Sequence, residues 1–212
     1  MYIIRRMICI IDYGAGNLTS VKRALDFLGT TSVITSDAAK VRAASRIIFP
    51  GVGHAARAME VLRERGLDTA LRDAFAAATP ILGICLGTQI VLAHSDEGDT
   101  GCIGLIDGNC PRFRFDEPLM KIPHMGWNAV TVVRPHPVLA DVEPGDEFYF
   151  VHSYYPLPSD STLIFATCDY GVTFPAAIGH KNLFATQFHP EKSGRPGLAL
   201  LKNFLRWDGT PC

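Results

Sequence analysis

The chain has 212 residues, 48% of them hydrophobic, enough to bury one substantial core, and residues 1–212 are expected to form a single α/β domain. Twenty basic against 21 acidic residues leave a formal charge of −1 with no basic block, which argues against a nucleic-acid partner. No stretch reaches the ~20 apolar residues of a membrane helix, and six cysteines without C-x-x-C or metal-ligand spacing fit the reducing cytoplasm, with no metal and no cofactor expected.

Arg5-Arg6 ahead of Met7-Ile8-Cys9-Ile10-Ile11 hints at a signal peptide, but Asp12 ends the apolar run too early and no small-residue cleavage site follows. Met7 to Ile11 reads instead as a buried strand, Asp12-Tyr13-Gly14-Ala15-Gly16-Asn17 as a loop, and Leu18 to Leu28 as an amphipathic helix. Gly14-x-Gly16 is like the start of a dinucleotide fingerprint, with Asp37 about where a ribose-binding acid would stand, yet Thr19 occupies the place of the third glycine and argues against nucleotide binding. Ser32 to Thr35 is a second strand, Asp37 caps a short helix, and Arg46 to Phe49 is a third strand running into Pro50-Gly51-Val52-Gly53-His54. Helices 54–65 and 67–78 follow, split by Gly66. This alternation predicts a mostly parallel central sheet flanked by helices. Ligands of such sheets sit at the C-terminal strand ends, where Gly51 and Gly53 leave the peptides around Val52 free to rotate.

Pro80-Ile81-Leu82 then leads into Gly83-Ile84-Cys85-Leu86-Gly87-Thr88-Gln89 and a helix-like run, Gln89 to Ala93. A cysteine between two glycines at a strand-turn-helix junction is the thiol version of the nucleophile elbow. Side chains at Gly83 or Gly87 would collide where the helix packs back across its strand. A helix beginning after Cys85 presents free N–H groups and partial positive charge to the sulfur, the setting in which a cysteine attacks as thiolate. Beyond His94 the texture turns β-rich. Runs at 103–106, 110–115, 127–133, 147–155, 162–167, 175–179 and 183–188 read as strands, some antiparallel, extending the first sheet, before an amphipathic helix from Pro196 to Trp207. The single histidines His54, His94 and His136 read as surface or capping residues.

A base for the thiol stands in Gln187-Phe188-His189-Pro190-Glu191-Lys192. In extended chain, His189 and Glu191 project to one side, which suits an imidazole poised against a thiol and a carboxylate holding its tautomer. Nucleophile Cys85, base His189 and orienter Glu191 then fill three roles in one crevice. The N–H of Leu86, with one from the Gly51-Val52-Gly53 loop, donated by Val52 or Gly53, would form the oxyanion hole.

These motifs, in this order, resemble the triad (class I) glutamine amidotransferases. Pro123-His124-Met125-Gly126-Trp127-Asn128 and Tyr149-Phe150-Val151-His152-Ser153-Tyr154-Tyr155 narrow the resemblance to the glutaminase subunits of imidazole glycerol phosphate synthase, in histidine biosynthesis, over nearly the whole chain. The resemblance implies hydrolysis of glutamine to glutamate and ammonia, with ammonia passed through a (β/α)8-barrel synthase subunit to a ribulosyl-aminoimidazole nucleotide. It also implies a glutamine site at Gln89, Glu97, Ser153 and Tyr154 with the Gly51 and Gly53 backbone, and a partner face at Asn17, Trp127, Tyr149 and Lys192. Weak glutaminase activity until the partner is occupied belongs to the same expectation. Thr88 departs from the family's usual Met, Gly101-Cys102 is unusual, and Met1 to Arg6 is longer than expected, a possible start-site choice. The rival readings are a paralogous subunit feeding ammonia to another pathway such as amino-sugar synthesis, and a regulatory binding subunit, which an intact triad disfavours.

Overall fold

The computed structural model describes residues 7–14, 16–115 and 120–210; the start-site segment Met1 to Arg6 and Cys212 lie outside the described residues. The first half alternates as its periodicity requires: β1 (Ile8–Ile11), α1 (Leu18–Phe27), β2 (Ser32–Thr35), α2 (Ala38–Ala43), β3 (Arg46–Gly51), α3 (Ala55–Glu64), α4 (Leu67–Ala76), β4 (Ile81–Cys85) and α5 (Leu86–Ile90). Asp37 caps α2 by accepting the Ala39 N–H at 2.9 Å, so its carboxylate is spent on a helix start. His54 caps α3 in the same way, from the Ala56 N–H at 3.2 Å.

The second half adds β5 (His94–Ser95), β6 (Thr100–Gly101), β7 (Gly108–Cys110), β8 (His124–Ala129), β9 (Thr131–Val132), β10 (Glu147–His152), β11 (Leu157–Pro158), β12 (Ile164–Asp169), β13 (Thr173–His180), β14 (Leu183–Thr186) and α6 (Gly194–Arg206). One eight-stranded sheet runs β2-β1-β3-β4-β14-β13-β12-β9. Its first five strands are mutually parallel and its last three antiparallel. Two small sheets, β10-β8 and β11-β7-β5-β6, stand apart from it.

Alternate residues of the central strands face opposite ways. Cys9, Ile11, Ile47, Phe49 and Ile81 pack with Val41 of α2, Leu62 of α3 and Leu71 of α4. Ile8, Ile10, Ile48, Leu82 and Ile84 pack on the other face with Leu25 of α1 and Leu201 and Phe204 of α6. Burial on both faces explains why these strands are continuous apolar runs. No helix among the described residues is long and apolar enough to cross a membrane.

Three expected elements differ. The helix after Cys85 begins at once and ends at Ile90, rather than occupying 89–93. The run 103–106 is no strand: its N–H groups turn back to the helix end, Ile103 to the Ile90 carbonyl at 2.9 Å, Gly104 to Leu92 at 2.7 Å and Leu105 to Val91 at 2.8 Å. Carbonyls at a buried helix terminus need donors, and that demand overrides the local strand preference. Of 110–115, β7 takes only its first residue, and Arg112 makes a lone bridge to Tyr154.

Candidate active site

In the main sheet β3, β4 and β14 are neighbours, and their C-terminal ends carry the three motifs picked out along the chain. Gly51 lies directly beside Cys85 in register, and Thr186, which precedes Gln187 to Glu191, follows the pairing of Ala185 with Gly83. A parallel sheet thus converts separations of 34 and 104 residues (85 − 51 and 189 − 85) into adjacency.

Cys85 has φ 55° and ψ −109°, a positive-φ conformation that a residue with a Cβ rarely adopts. Tertiary contacts impose it. A Cβ on Gly87 would fall on the Phe49 carbonyl, and one on Gly83 would come within 2.9 Å of the Ala185 Cβ, so both glycines are needed for α5 to sit against β3 and β14. Such strain, held by its surroundings, is the mark of a nucleophile turn. Thr88, buried, ties the first turn of α5 to β14 by donating its hydroxyl to the Thr186 carbonyl at 2.6 Å.

His189 and Glu191 come together, but not through extended chain. His189 precedes a 3₁₀ turn over Pro190–Lys192 and Glu191 lies inside it. Pro190 fixes φ at the start of that turn, and the turn folds the carboxylate back onto the ring, with His189 Nδ1 2.8 Å from Glu191 Oε1. Both side chains are at most 1% exposed. The Nδ1 contact leaves Nε2 buried with no hydrogen-bond partner among the described residues, while Cys85 is near enough to act on the ring's protonation. Burial by itself pushes the imidazole pKa down, but the charge and hydrogen-bonding capacity of Cys85 and Glu191 together outweigh it and hold it up at about 10. Ser193 locks the turn, donating to the His189 carbonyl at 2.6 Å and accepting the Tyr149 N–H at 3.0 Å. Asn17 Nδ2 donates to the same Glu191 oxygen that faces His189.

In front of the thiol lies a cavity of about 330 Å³. Val52, Gly53, Leu86, Gln89, Glu97, Ser153 and Tyr154, all expected at the site, line it with Cys85. Gly51 does not line the cavity; it is packed against Tyr13, Leu86 and Gly87. Gln89 donates its amide to the Tyr154 carbonyl at 2.9 Å and to Gln187 Oε1 at 3.0 Å, leaving its own oxygen as the atom offered to a ligand. Glu97 accepts the Ala55 N–H at 2.7 Å and so is held against the start of α3. Its loop is braced by His94, which is no free surface residue: Nε2 meets Asp99 at 2.9 Å and Nδ1 meets Asn109 Oδ1 at 3.1 Å. Hydrogen bonding to Asn109 and Asp99 raises the His94 pKa.

Two residues went unassigned in the sequence. Gln187 donates to the Cys85 sulfur at 3.7 Å; lying two residues before His189 on the strand end, it could have been picked by alternation. His152 lines the cavity, with Nδ1 2.8 Å from the Tyr154 carbonyl and Nε2 3.1 Å from His124 Nδ1. The carbonyl requires the proton on His152 Nδ1, so His124 donates to His152 and both rings are neutral. Burial lowers their pKa values to about 4 for His124 and about 3 for His152. No local spacing betrays this pair, because it forms only when β8 and β10 align His124 with His152.

Of the expected partner face, Trp127 pairs with Tyr149 across β8 and β10, their rings 6.1 Å apart, and Lys192 sits 5.5 Å over the Tyr149 ring. Trp127 is 53% and Met125 62% exposed, an apolar patch beside the triad turn. Asn17 turns inward to Glu191.

A strained thiol, a buried imidazole and carboxylate, and a small cavity in front of the sulfur are the parts that thiol-type cleavage of an amide or ester calls for. The family model for class-I glutamine amidotransferases matches residues 9–207, and the chain belongs to that family. It is 53% identical over 206 residues to "Imidazole glycerol phosphate synthase subunit HisH" of Nitratidesulfovibrio vulgaris (strain DSM 19637 / Miyazaki F), covering 95% of this chain and 97% of that one. The protein of the same name from Dechloromonas aromatica (strain RCB) is 47% identical, over 94% and 96% of the two chains. Among solved structures, one titled "Crystal structure of glutamine amidotransferase" superposes with a TM-score of 0.70 at 18% identity, over 95% of this chain and 99% of that one. "Structure of PurLQS from Thermotoga maritima" gives 0.71 at 19%, over 95% and 98%. At such identity these two speak for the fold alone.

Proposed function

We propose that this chain is the glutaminase subunit of an imidazole glycerol phosphate synthase, acting as one domain over residues 1–212, with Cys85, His189 and Glu191 as its catalytic residues. The observation that carries the chemistry is the Cys85 thiol on its strained turn, with a buried His189–Glu191 pair behind it and a cavity of about 330 Å³ in front. Similarity to HisH subunits along the whole chain supports the pathway, and no observation favours the amino-sugar alternative.

Glutamine lies with its side-chain amide at Cys85, its amino-acid end held by Gln89, Glu97, Ser153 and Tyr154, with Gly51 and Gly53 shaping the loop beside it. His189 already carries the proton of the thiol–imidazole pair, as its raised pKa requires; the Cys85 sulfur attacks the amide carbon, and the oxygen becomes an oxyanion facing the N–H groups of Leu86 and of Val52 or Gly53. The imidazolium gives its proton to the nitrogen, the C–N bond breaks, and ammonia leaves a glutamyl thioester. Water deprotonated by His189 then attacks the thioester, the sulfur leaves, and glutamate is released with the proton back on His189 as at the start. Glu191 holds Nδ1 and stabilises the imidazolium throughout. Ammonia stays nucleophilic only while unprotonated, which calls for direct transfer to a (β/α)8-barrel partner docked over Trp127, Tyr149 and Lys192, with Asn17 behind them. The reducing cytoplasm suits the catalytic thiol.

The test is imidazole glycerol phosphate formation from glutamine by the chain with its synthase subunit. Product formed with glutamine at neutral pH, where free ammonia is scarce, is the expected result. A chain that hydrolyses glutamine without supporting that product would belong to another pathway.

A further inference from the structure

Tyr13 is a buried side chain beside the site to which the mechanism above gives no work. It is 4% exposed, its ring packs 5.6 Å from that of Phe49, and its hydroxyl has no hydrogen-bond partner among the described residues. That hydroxyl lies against Gly51: a Cβ added there would strike it and would also crowd Leu86 Cβ at 2.9 Å and the Gly87 nitrogen at 3.1 Å. A buried hydroxyl left without a partner is costly, so an arrangement that satisfies it is favoured.

Val52 and Gly53 separate two cavities. The one of about 330 Å³ holds Cys85; the other, of about 310 Å³, lies on the opposite side of the segment and is lined by Tyr13 together with His54, Arg57 and Arg65. In a trans peptide the N–H and the C=O point in opposite directions. If the Val52 N–H is aimed at an oxyanion above Cys85, the Gly51 carbonyl is driven the other way, toward the side that Tyr13 occupies. A carbonyl buried there needs a donor.

We propose that Tyr13 is a positioning residue whose hydroxyl donates to the Gly51 carbonyl in the arrangement that offers the Val52 N–H to the oxyanion. This deepens the glutaminase reading and rests on it. Burial raises the Tyr13 pKa, with the nearby Cys85 acting in the same direction, so the hydroxyl stays a donor through the working range.

The test is Tyr13→Phe in the full chain with its synthase subunit. Phe keeps the ring packing on Phe49 and removes only the donor. Glutamine kcat is expected to fall about tenfold, as the loss of one such bond implies. KM, the thermal unfolding midpoint and the rate of Cys85 alkylation by iodoacetamide, a displacement that forms no oxyanion, are expected to hold. An unchanged kcat overturns the proposal, as does a fall shared equally by the alkylation rate or a protein that no longer folds, since either makes the hydroxyl part of the resting structure. A wild-type complex without glutaminase activity would instead overturn the glutaminase reading itself.

Discussion

At the scale of the residue, the proposed chemistry turns on Glu191. Its Oε1 is shared between His189 and Asn17, and its Oε2 has no partner among the described residues. A carboxylate can accept both bonds, whereas a Gln amide must present either an oxygen or an NH₂ to the ring and carries no charge to balance an imidazolium. Glu191→Gln is therefore predicted to cut glutamine turnover on the order of 10²–10⁴-fold, by analogy with the acid-to-amide change in a serine triad, with little change in fold. Steady-state kinetics beside a circular-dichroism spectrum check this; turnover within twofold of wild type would remove Glu191 from the triad. Asn17→Ala is predicted to lower turnover by a smaller factor, about tenfold, through the lost hydrogen bond to Glu191 Oε1, and it does so without the synthase subunit present. An Asn17→Ala effect seen only in the complex would make Asn17 a partner contact alone.

At the scale of the element, the nucleophile turn is held by absences of side chains and by one hydroxyl. Gly87 touches the Phe49 carbonyl with no room for a Cβ, and Thr88 satisfies the Thr186 carbonyl. Thr88→Val removes that buried hydrogen bond and is predicted to lower the unfolding free energy by about 0.5–1.5 kcal/mol, read from urea denaturation. A loss below the error of the measurement would show that the carbonyl finds another donor. The Gly83, Cys85 and Gly87 pattern was legible in the sequence because the close approach of α5 to β3 and β14 leaves its mark as two glycines around one cysteine. So were the alternating first-half elements, whose strands are buried on both faces and flanked by strong turn residues. The joining of His189 to Glu191 was legible in outcome but not in form, since Pro190 starts a 3₁₀ turn in place of extended chain. The segment 103–106 was illegible for a different reason: its partners are carbonyls of α5 and the residues just after it, and no period in its own residues records them.

At the scale of the whole molecule, three buried neutral histidines make the fold sensitive to acid. Burial lowers His124 and His136 to about 4 and His152 to about 3, against an ordinary value near 6.5 in the unfolded chain. Below that ordinary value the unfolded chain binds protons that the fold refuses, so their contribution is fully present above pH 6.5 and is lost as pH falls from 6.5 through 4. His136 accepts the Val138 N–H at 3.1 Å as a cap and stacks on Phe184. Asn keeps the acceptor and cannot charge. His136→Asn is thus predicted to reduce that acid slope by about a third, one group in three. Unchanged slopes in urea titrations at pH 6.5, 5.5 and 4.5 would place the acid sensitivity elsewhere.

The five parallel strands matter to function because they bring β3, β4 and β14 side by side and so set thiol, base and loop at one edge. That assembly is tested most directly by glutamate release from glutamine, measured for the complex with its synthase subunit, wild type against Cys85→Ala. The account predicts steady glutamate production from the wild type and a rate indistinguishable from the synthase subunit alone from Cys85→Ala. Equal production by both proteins would contradict it.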